Sequence, residues 1–161
     1  MATKKAAKTT TTNRRPSRSK TSARKKVTSQ FKREPVGPKD LTLVRGRGSV
    51  DRGGGPGGHY WHIQVGEKRA GYVFINIIRD DFLGEHPSIQ IHINQDERGK
   101  QIGRVSYRLA CEQSGYEKVY AHMRKANIAS RRAAEEAGFQ VVEDARIPQL
   151  SMVWHCSTTS I

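Results

Sequence analysis

SIQIHINQDERGKQIGR, residues 88–104, passes from strict alternation through a charged turn into a helical pattern. In SIQIHI, Ile89, Ile91 and Ile93 fall on one face and Gln90 and His92 on the other, the signature of a half-buried strand. From Gln101 onward, Ile102, Val105, Leu109, Ala110 and Gln113 recur at helical spacing, while Arg104, Arg108 and Glu112 stack at four-residue intervals on the opposite side. The spacing predicts a helix over Gln101–Ser114, stopped by Gly115. Between strand and helix, Gly99 and Gly103 leave two readings open: a tight turn, or a nest of amide N–H groups for a phosphate. The second follows from the unpartnered N–H groups of a first helical turn and its partial positive charge, to which Arg98, Lys100 and Arg104 would add.

Outward from this segment the elements alternate. Towards the N-terminus, HYWHIQV (59–65), the turn GEKR and GYVFINII (71–78) read as an antiparallel hairpin, and a short strand is expected over 40–44. RGRGSVDRGGGPGG is too rich in glycine for a helix or a strand interior and reads as a flexible loop. Residues 79–87, charged and containing Pro87, read as a second loop. Towards the C-terminus, KVYAHM (118–123) is a strand, and a second helix is expected over 128–137, capped by Asn127 and ended by Gly138. FQVVE and LSMVWH close the chain as strands. The fold class is therefore α/β (α+β), a mixed and mostly antiparallel sheet flanked by helices.

The chain has 161 residues and a formal charge of +14, and that charge is uneven. Residues 1–36 carry twelve Lys or Arg against the single acid Glu34, which leaves the remainder at only +3. Residues 1–38 have little to bury and are expected to form a disordered basic arm ahead of one domain over 39–157. Lys4, Lys5, Lys8, Arg14, Arg15, Arg18, Lys20, Arg24, Lys25 and Lys26 are its candidate contacts to DNA, RNA or a nucleoprotein assembly, through counterion release. An acidic protein partner or a purely solubilising tail would account for the same composition.

Other chemistries fit poorly. The glycines lie four apart and late in the chain, unlike a dinucleotide-binding G-x-G-x-x-G, and no G-K-S/T follows Gly99 as in a P-loop. Cys111 and Cys156 lack a C-x-x-C, and His59 and His62 point to opposite strand faces, so no metal site is expected. No segment approaches a membrane span, and the N-terminus lacks the apolar run of a secretory signal. The expectation is a soluble intracellular protein, cytoplasmic or associated with nucleic acid.

RGKQIGR after SIQIHINQDE, followed by ANIASRRAAEEAGF, resembles the GNAT superfamily of acyl-CoA-dependent N-acetyltransferases over roughly residues 59–155. The resemblance implies acetyl-CoA as co-substrate, with Arg98, Gly99, Lys100, Gln101, Ile102, Gly103 and Arg104 around the pyrophosphate. It also implies that Ile91 and Ile93 offer main-chain groups to the pantetheine, with Asn127 and Ser130 close by. The implied activity is acetyl transfer to an amine, here of a protein acceptor; a GNAT fold retained without catalysis is the alternative.

Three departures from the family pattern stand out. Gln101 occupies the place of a loop glycine. Ala134, four residues before Gly138, stands where many members carry the tyrosine that protonates the leaving thiolate. RGRGSVDRGGGPGG replaces two helices that wall the acceptor site. For the base that accepts the amine proton, Glu85 and His92 are the candidates, and Ser130 or Tyr107 can serve as proton donor.

Overall fold

The computed structural model describes residues 33–157, in which seven strands form one sheet. They are β1 (Leu41–Arg45), β2 (His59–Val65), β3 (Lys68–Asp80), β4 (Gly84–Ile93), β5 (Lys118–Met123), β6 (Gln140–Val141) and β7 (Leu150–His155). Helix α1 (Ile102–Ser114) connects β4 to β5, and α2 (Ile128–Glu136) connects β5 to β6. The spatial order is β1-β2-β3-β4-β5-β7-β6, antiparallel throughout except where β5 lies parallel to β4. The mixed, mostly antiparallel sheet with flanking helices is the architecture expected from the sequence. The basic side chains from Lys4 to Lys26 lie outside the described residues.

Alternation decides which face each strand buries. Leu41, Leu43, Trp61, Ile63, Val73, Ile75 and Ile89 turn to the helical side, where Ile102, Val105 and Ala110 of α1 meet them in one core. Each large apolar side chain so buried contributes about 1.5–3 kcal/mol. Gly103 lets the helices approach closely, since a Cβ there would stand 3.2 Å from the Cβ of Ala133 on α2.

The opposite face carries Tyr60, His62, Tyr72, Phe74 and His92, and neither α1 nor α2 packs on it. Tyr60 stacks on Tyr72 at 5.8 Å and Tyr72 on His92 at 5.0 Å, while His62 meets Tyr60 edge-on at 5.1 Å. The glycine-rich segment folds against this face, and its expected looseness is not what the structure shows. Val50–Gly54 makes one irregular helical turn; the Gly53 N–H donates to Asn76 Oδ1 at 2.7 Å, and Asn76 Nδ2 donates to the Asp51 carbonyl at 2.7 Å. A Cβ on Gly53 would lie 2.1 Å from the His59 carbonyl oxygen, so only glycine lets the backbone settle there.

Two boundaries also differ from expectation. Lys68 and Arg69 pair with β2, reducing the first turn to Gly66 and Glu67. Residues 79–87 are mostly strand: Arg79 pairs with Glu85 and Ile77 with Pro87. The turn itself is only Asp81–Leu83, held by Asp80 Oδ1, which accepts from the Phe82 and Leu83 amides at 2.9 and 2.5 Å. The expected FQVVE strand contracts to Gln140–Val141.

Candidate functional site

β4 and β5 separate beyond a single bridge, Ser88 to Tyr120. The Asn94 N–H donates to the Ala70 carbonyl on the β3 side at 2.8 Å. Peptide direction alternates along a strand, so the groups of Gln90 and His92 also turn to β3. Those of Ile91 and Ile93 turn the other way, into the gap where β5 has diverged. A main-chain ligand edge is thus exposed beside the helices.

The gap opens into a cleft of about 720 Å³ between the N-terminal ends of α1 and α2. Ile91, Ile93, Arg98, Gly99, Gln101, Ile102, Gly103 and Arg104 line it from one side and Asn127 and Ser130 from the other. Among the described residues no side chain caps α1, since Gln101 at the cap position makes no such hydrogen bond. The first amides of α1 therefore face the cleft unsatisfied, a ready site for an anion. Arg104 borders it with its Nε lacking a hydrogen-bond partner among the described residues and Glu136 3.8 Å away.

Gln101 adopts left-handed backbone, φ 58° and ψ 24°, alone among the described non-glycine residues. The conformation turns the chain sharply from Gly99, itself at φ 81°, into α1. For an L-residue it costs about 1–2 kcal/mol. The loop is braced from behind: Arg33 Nη1 donates to the carbonyls of Asp96 and Arg98 at 2.6 and 2.7 Å, and the Val36 N–H donates to Lys100 O at 2.8 Å. Arg33 and Val36 belong to the segment read from sequence as arm, and here they are part of the loop's support.

Lys100 does not line the cleft. Its Nζ pairs with buried Glu97 at 2.7 Å, and Lys68 pairs with the other Glu97 oxygen. Asn127 Oδ1 accepts from the Ser130 N–H at 3.2 Å, so Asn127 is the N-cap of α2 while also lining the cleft. Beneath lies Tyr107, edge-on to Phe139 at 5.6 Å; burial pushes its hydroxyl up to about 12, partly countered by the Ser130 hydroxyl. Tyr107 and Ser130 thus bring two protonated hydroxyls to one wall.

The two sequence candidates for a base are separated. His92 borders the cleft and its exposed ring stacks on Tyr72 across the sheet. Glu85 is exposed near the start of β4, eight residues and about 26 Å of strand from Ile93. Ala134 is fully buried in the core and leaves no room for a larger ring.

Sequence reasoning missed a second group of polar side chains at the fork. His86 Nε2 and His122 Nε2 lie 2.8 Å apart, His122 Nδ1 lies 2.8 Å from Ser151 Oγ, and His86 Nδ1 donates to the Gly84 carbonyl at 2.9 Å. Asp80 Oδ2 stands 3.8 Å from His86 Nε2. Burial, and then the neighbouring His86, lowers the pKa of His122. No spacing signals this group, because β3, β4, β5 and β7 assemble it from distant positions.

The model of the acetyltransferase (GNAT) family matches residues 25–139. A search of curated proteins finds no match. Among solved structures, a domain from Methanocaldococcus jannaschii is similar at 26% identity, with TM-score 0.51, over 62% of this chain and 68% of that one. The aminoglycoside acetyltransferase AAC(6')-Ib in complex with coenzyme A is 18% identical, with TM-score 0.53, over 66% and 69%. Mycobacterium smegmatis RimJ in complex with CoA-disulfide is 14% identical, with TM-score 0.51, over 61% and 53%. The last two likenesses are of fold. No described helix is long and apolar enough to cross a membrane.

Proposed function

The chain belongs to the acetyltransferase (GNAT) family, and from that premise we propose that it transfers the acetyl group of acetyl-CoA to an amine of a protein. The observation that carries this reading is the cleft itself: unsatisfied α1 amides at one end and the outward peptide edge of Ile91 and Ile93 at the other. In this reading the pyrophosphate sits on the amides of Ile102, Gly103 and Arg104, with Arg98 and Arg104 adding charge. The pantetheine runs along β4 as an extra strand and carries the thioester to the fork at Ser88 and Tyr120.

The chemistry needs few groups. A neutral amine attacks the thioester carbonyl, charge develops on the carbonyl oxygen, and the C–S bond breaks to release a thiolate that takes up a proton. A main-chain N–H of β4 is the donor for the oxyanion. Tyr107 and Ser130 are the hydroxyls available to the thiolate, in place of the tyrosine that Ala134 excludes. His92 is the proton acceptor at the cleft border, imidazole being suited to that task near neutrality.

The acceptor is read as protein because the aromatic face is walled by a thin glycine-rich segment rather than by helices, leaving space for a bulky substrate. The basic arm, with Lys4, Lys5, Lys8, Arg14, Arg15, Arg18, Lys20, Arg24, Lys25 and Lys26, is assigned to nucleic acid or a nucleoprotein assembly. The buried Ala134 favours a second reading, a GNAT fold that binds acetyl-CoA without turnover. Calorimetry with acetyl-CoA, followed by mass spectrometry of candidate acceptor proteins incubated with the enzyme, separates the readings. Binding with an acetyl mass shift supports catalysis, binding alone supports the second reading, and no binding at millimolar acetyl-CoA ends both.

A further inference from the structure

We propose that Asp80, His86 and His122 form a binding site for a divalent transition-metal cation of the Zn²⁺ class. Among the described residues, this is the one group of three potential ligands whose donor atoms all lie within 4.8 Å of one another. Three strands supply it, and each ligand is already oriented. Asp80 is fixed through Oδ1 by the Phe82 and Leu83 amides, which leaves Oδ2 directed at His86. The Gly84 carbonyl can only accept, so His86 Nδ1 carries the proton and Nε2 of the neutral ring is a bare lone pair. Ser151 Oγ stands 2.8 Å from His122 Nδ1, where it can accept from Nδ1–H once an ion takes the Nε2 lone pair, as an outer-shell partner does.

The spacing suits a small ion. Tetrahedral coordination at about 2.0–2.1 Å separates adjacent ligand atoms by about 3.3 Å. Two separations, 2.8 Å between the imidazole nitrogens and 3.8 Å from His86 to Asp80, bracket that value, and the third, from Asp80 to His122, is within 4.8 Å, so closure on an ion takes side-chain shifts of up to about 1.5 Å. Two imidazoles and one carboxylate select Zn²⁺, Co²⁺ or Ni²⁺ over Mg²⁺ or Ca²⁺. Asp80 and His122 are only half-buried, which gives the ion an entry path and keeps a fourth position for water. Bound there, the ion ties β3, β4 and β5 together beside the single bridge that joins the last two.

The alternative for the same atoms is a purely protein network, in which Ser151 donates to His122 Nδ1 and His122 Nε2–H donates to His86. The two differ in what added metal does. The full-length protein, stripped with chelator, is titrated with Zn²⁺ by calorimetry and with Co²⁺ by visible absorption. The expected result is one ion per chain and a Co²⁺ d–d spectrum without thiolate charge transfer, retained in Cys156→Ser and in His59→Gln/His62→Gln. His86→Gln/His122→Gln is expected to abolish both signals. Asp80→Asn, which keeps the Oδ1 contacts if the double variant fails to fold, is expected to weaken Zn²⁺ binding about 10–100-fold, and Ser151→Ala by a similar factor. The proposal is overturned if 100 µM Zn²⁺, on the order of a weak site, leaves the wild-type chain unbound. It is equally overturned if Asp80→Asn or the double variant binds as tightly as wild type.

Discussion

Lys100 holds the buried carboxylate of Glu97 at 2.7 Å, directly behind the loop whose amides face the cleft. The pair fixes the chain on the way to Gly99 and keeps the lysine out of the cleft. Pairing with Lys100 and then Lys68 holds Glu97 below the ordinary carboxylate range. A group whose folded pKa is depressed contributes stability above its unfolded pKa and loses it as pH falls through the folded value. The urea midpoint should therefore fall as the solution is acidified below the ordinary glutamate range, and Glu97→Gln should be less stable at pH 7 with a shallower acid limb. Urea titrations of both proteins from pH 7 to pH 3 check this.

Gln101→Gly should stabilise the fold by about 1 kcal/mol, because glycine removes the left-handed penalty while giving back some chain entropy. The same change should tighten acetyl-CoA binding. A raised urea midpoint at unchanged m, together with calorimetry, measures the two effects.

Gly103→Trp should eliminate acetyl-CoA binding by filling the cleft, whereas Gly103→Ala should push α1 from α2 by a few tenths of an ångström and weaken binding partially. Arg104→Ala should cost about tenfold in affinity, or about 1.4 kcal/mol. Titration of the three variants with acetyl-CoA orders them.

Tyr107→Phe keeps the packing against Phe139 and removes a hydroxyl, so kcat should fall with KM and melting temperature nearly unchanged. Ala134→Tyr should not restore a donor; forced into a filled core, it should destabilise by about 1–3 kcal/mol. Steady-state kinetics for the first and thermal melts for the second test the assignment.

Deleting residues 2–32 should abolish salt-dependent binding to nucleic acid while leaving the fold and acetyl-CoA affinity intact. Deletion through residue 36 should also loosen the loop, because it removes Arg33 and Val36. Binding measured from 50 to 300 mM salt, on the order of the range over which phosphate contacts titrate out, distinguishes the arm from its anchor.

Much of this was legible because it is local. Ile89, Ile91 and Ile93 announce a strand by alternation, and Ile102, Val105 and Leu109 announce a helix by spacing. Pro87 misled because proline usually ends strands, yet its peptide nitrogen points away from β3, where no ladder bond is lost. The glycine-rich segment misled because composition cannot show that Asn76 will hold it from 23 residues away. The left-handed turn at Gln101 was legible only as an oddity of pattern, its strain being a property of the folded loop. His86 and His122 stand 36 residues apart, and only the parallel register of β4 and β5 brings them together.

The aromatic face is bordered by a segment that contributes mostly backbone, with the Arg52 guanidinium laid over the Tyr72 ring at 5.5 Å. A border of that kind brings no ring to stack on a visitor, but it does bring a cation already seated on an aromatic ring. Under the proposed function, an acceptor on this side of the sheet would meet Arg52 and the rings of Tyr60, His62, Tyr72 and His92, the last four on strands whose register does not depend on those rings.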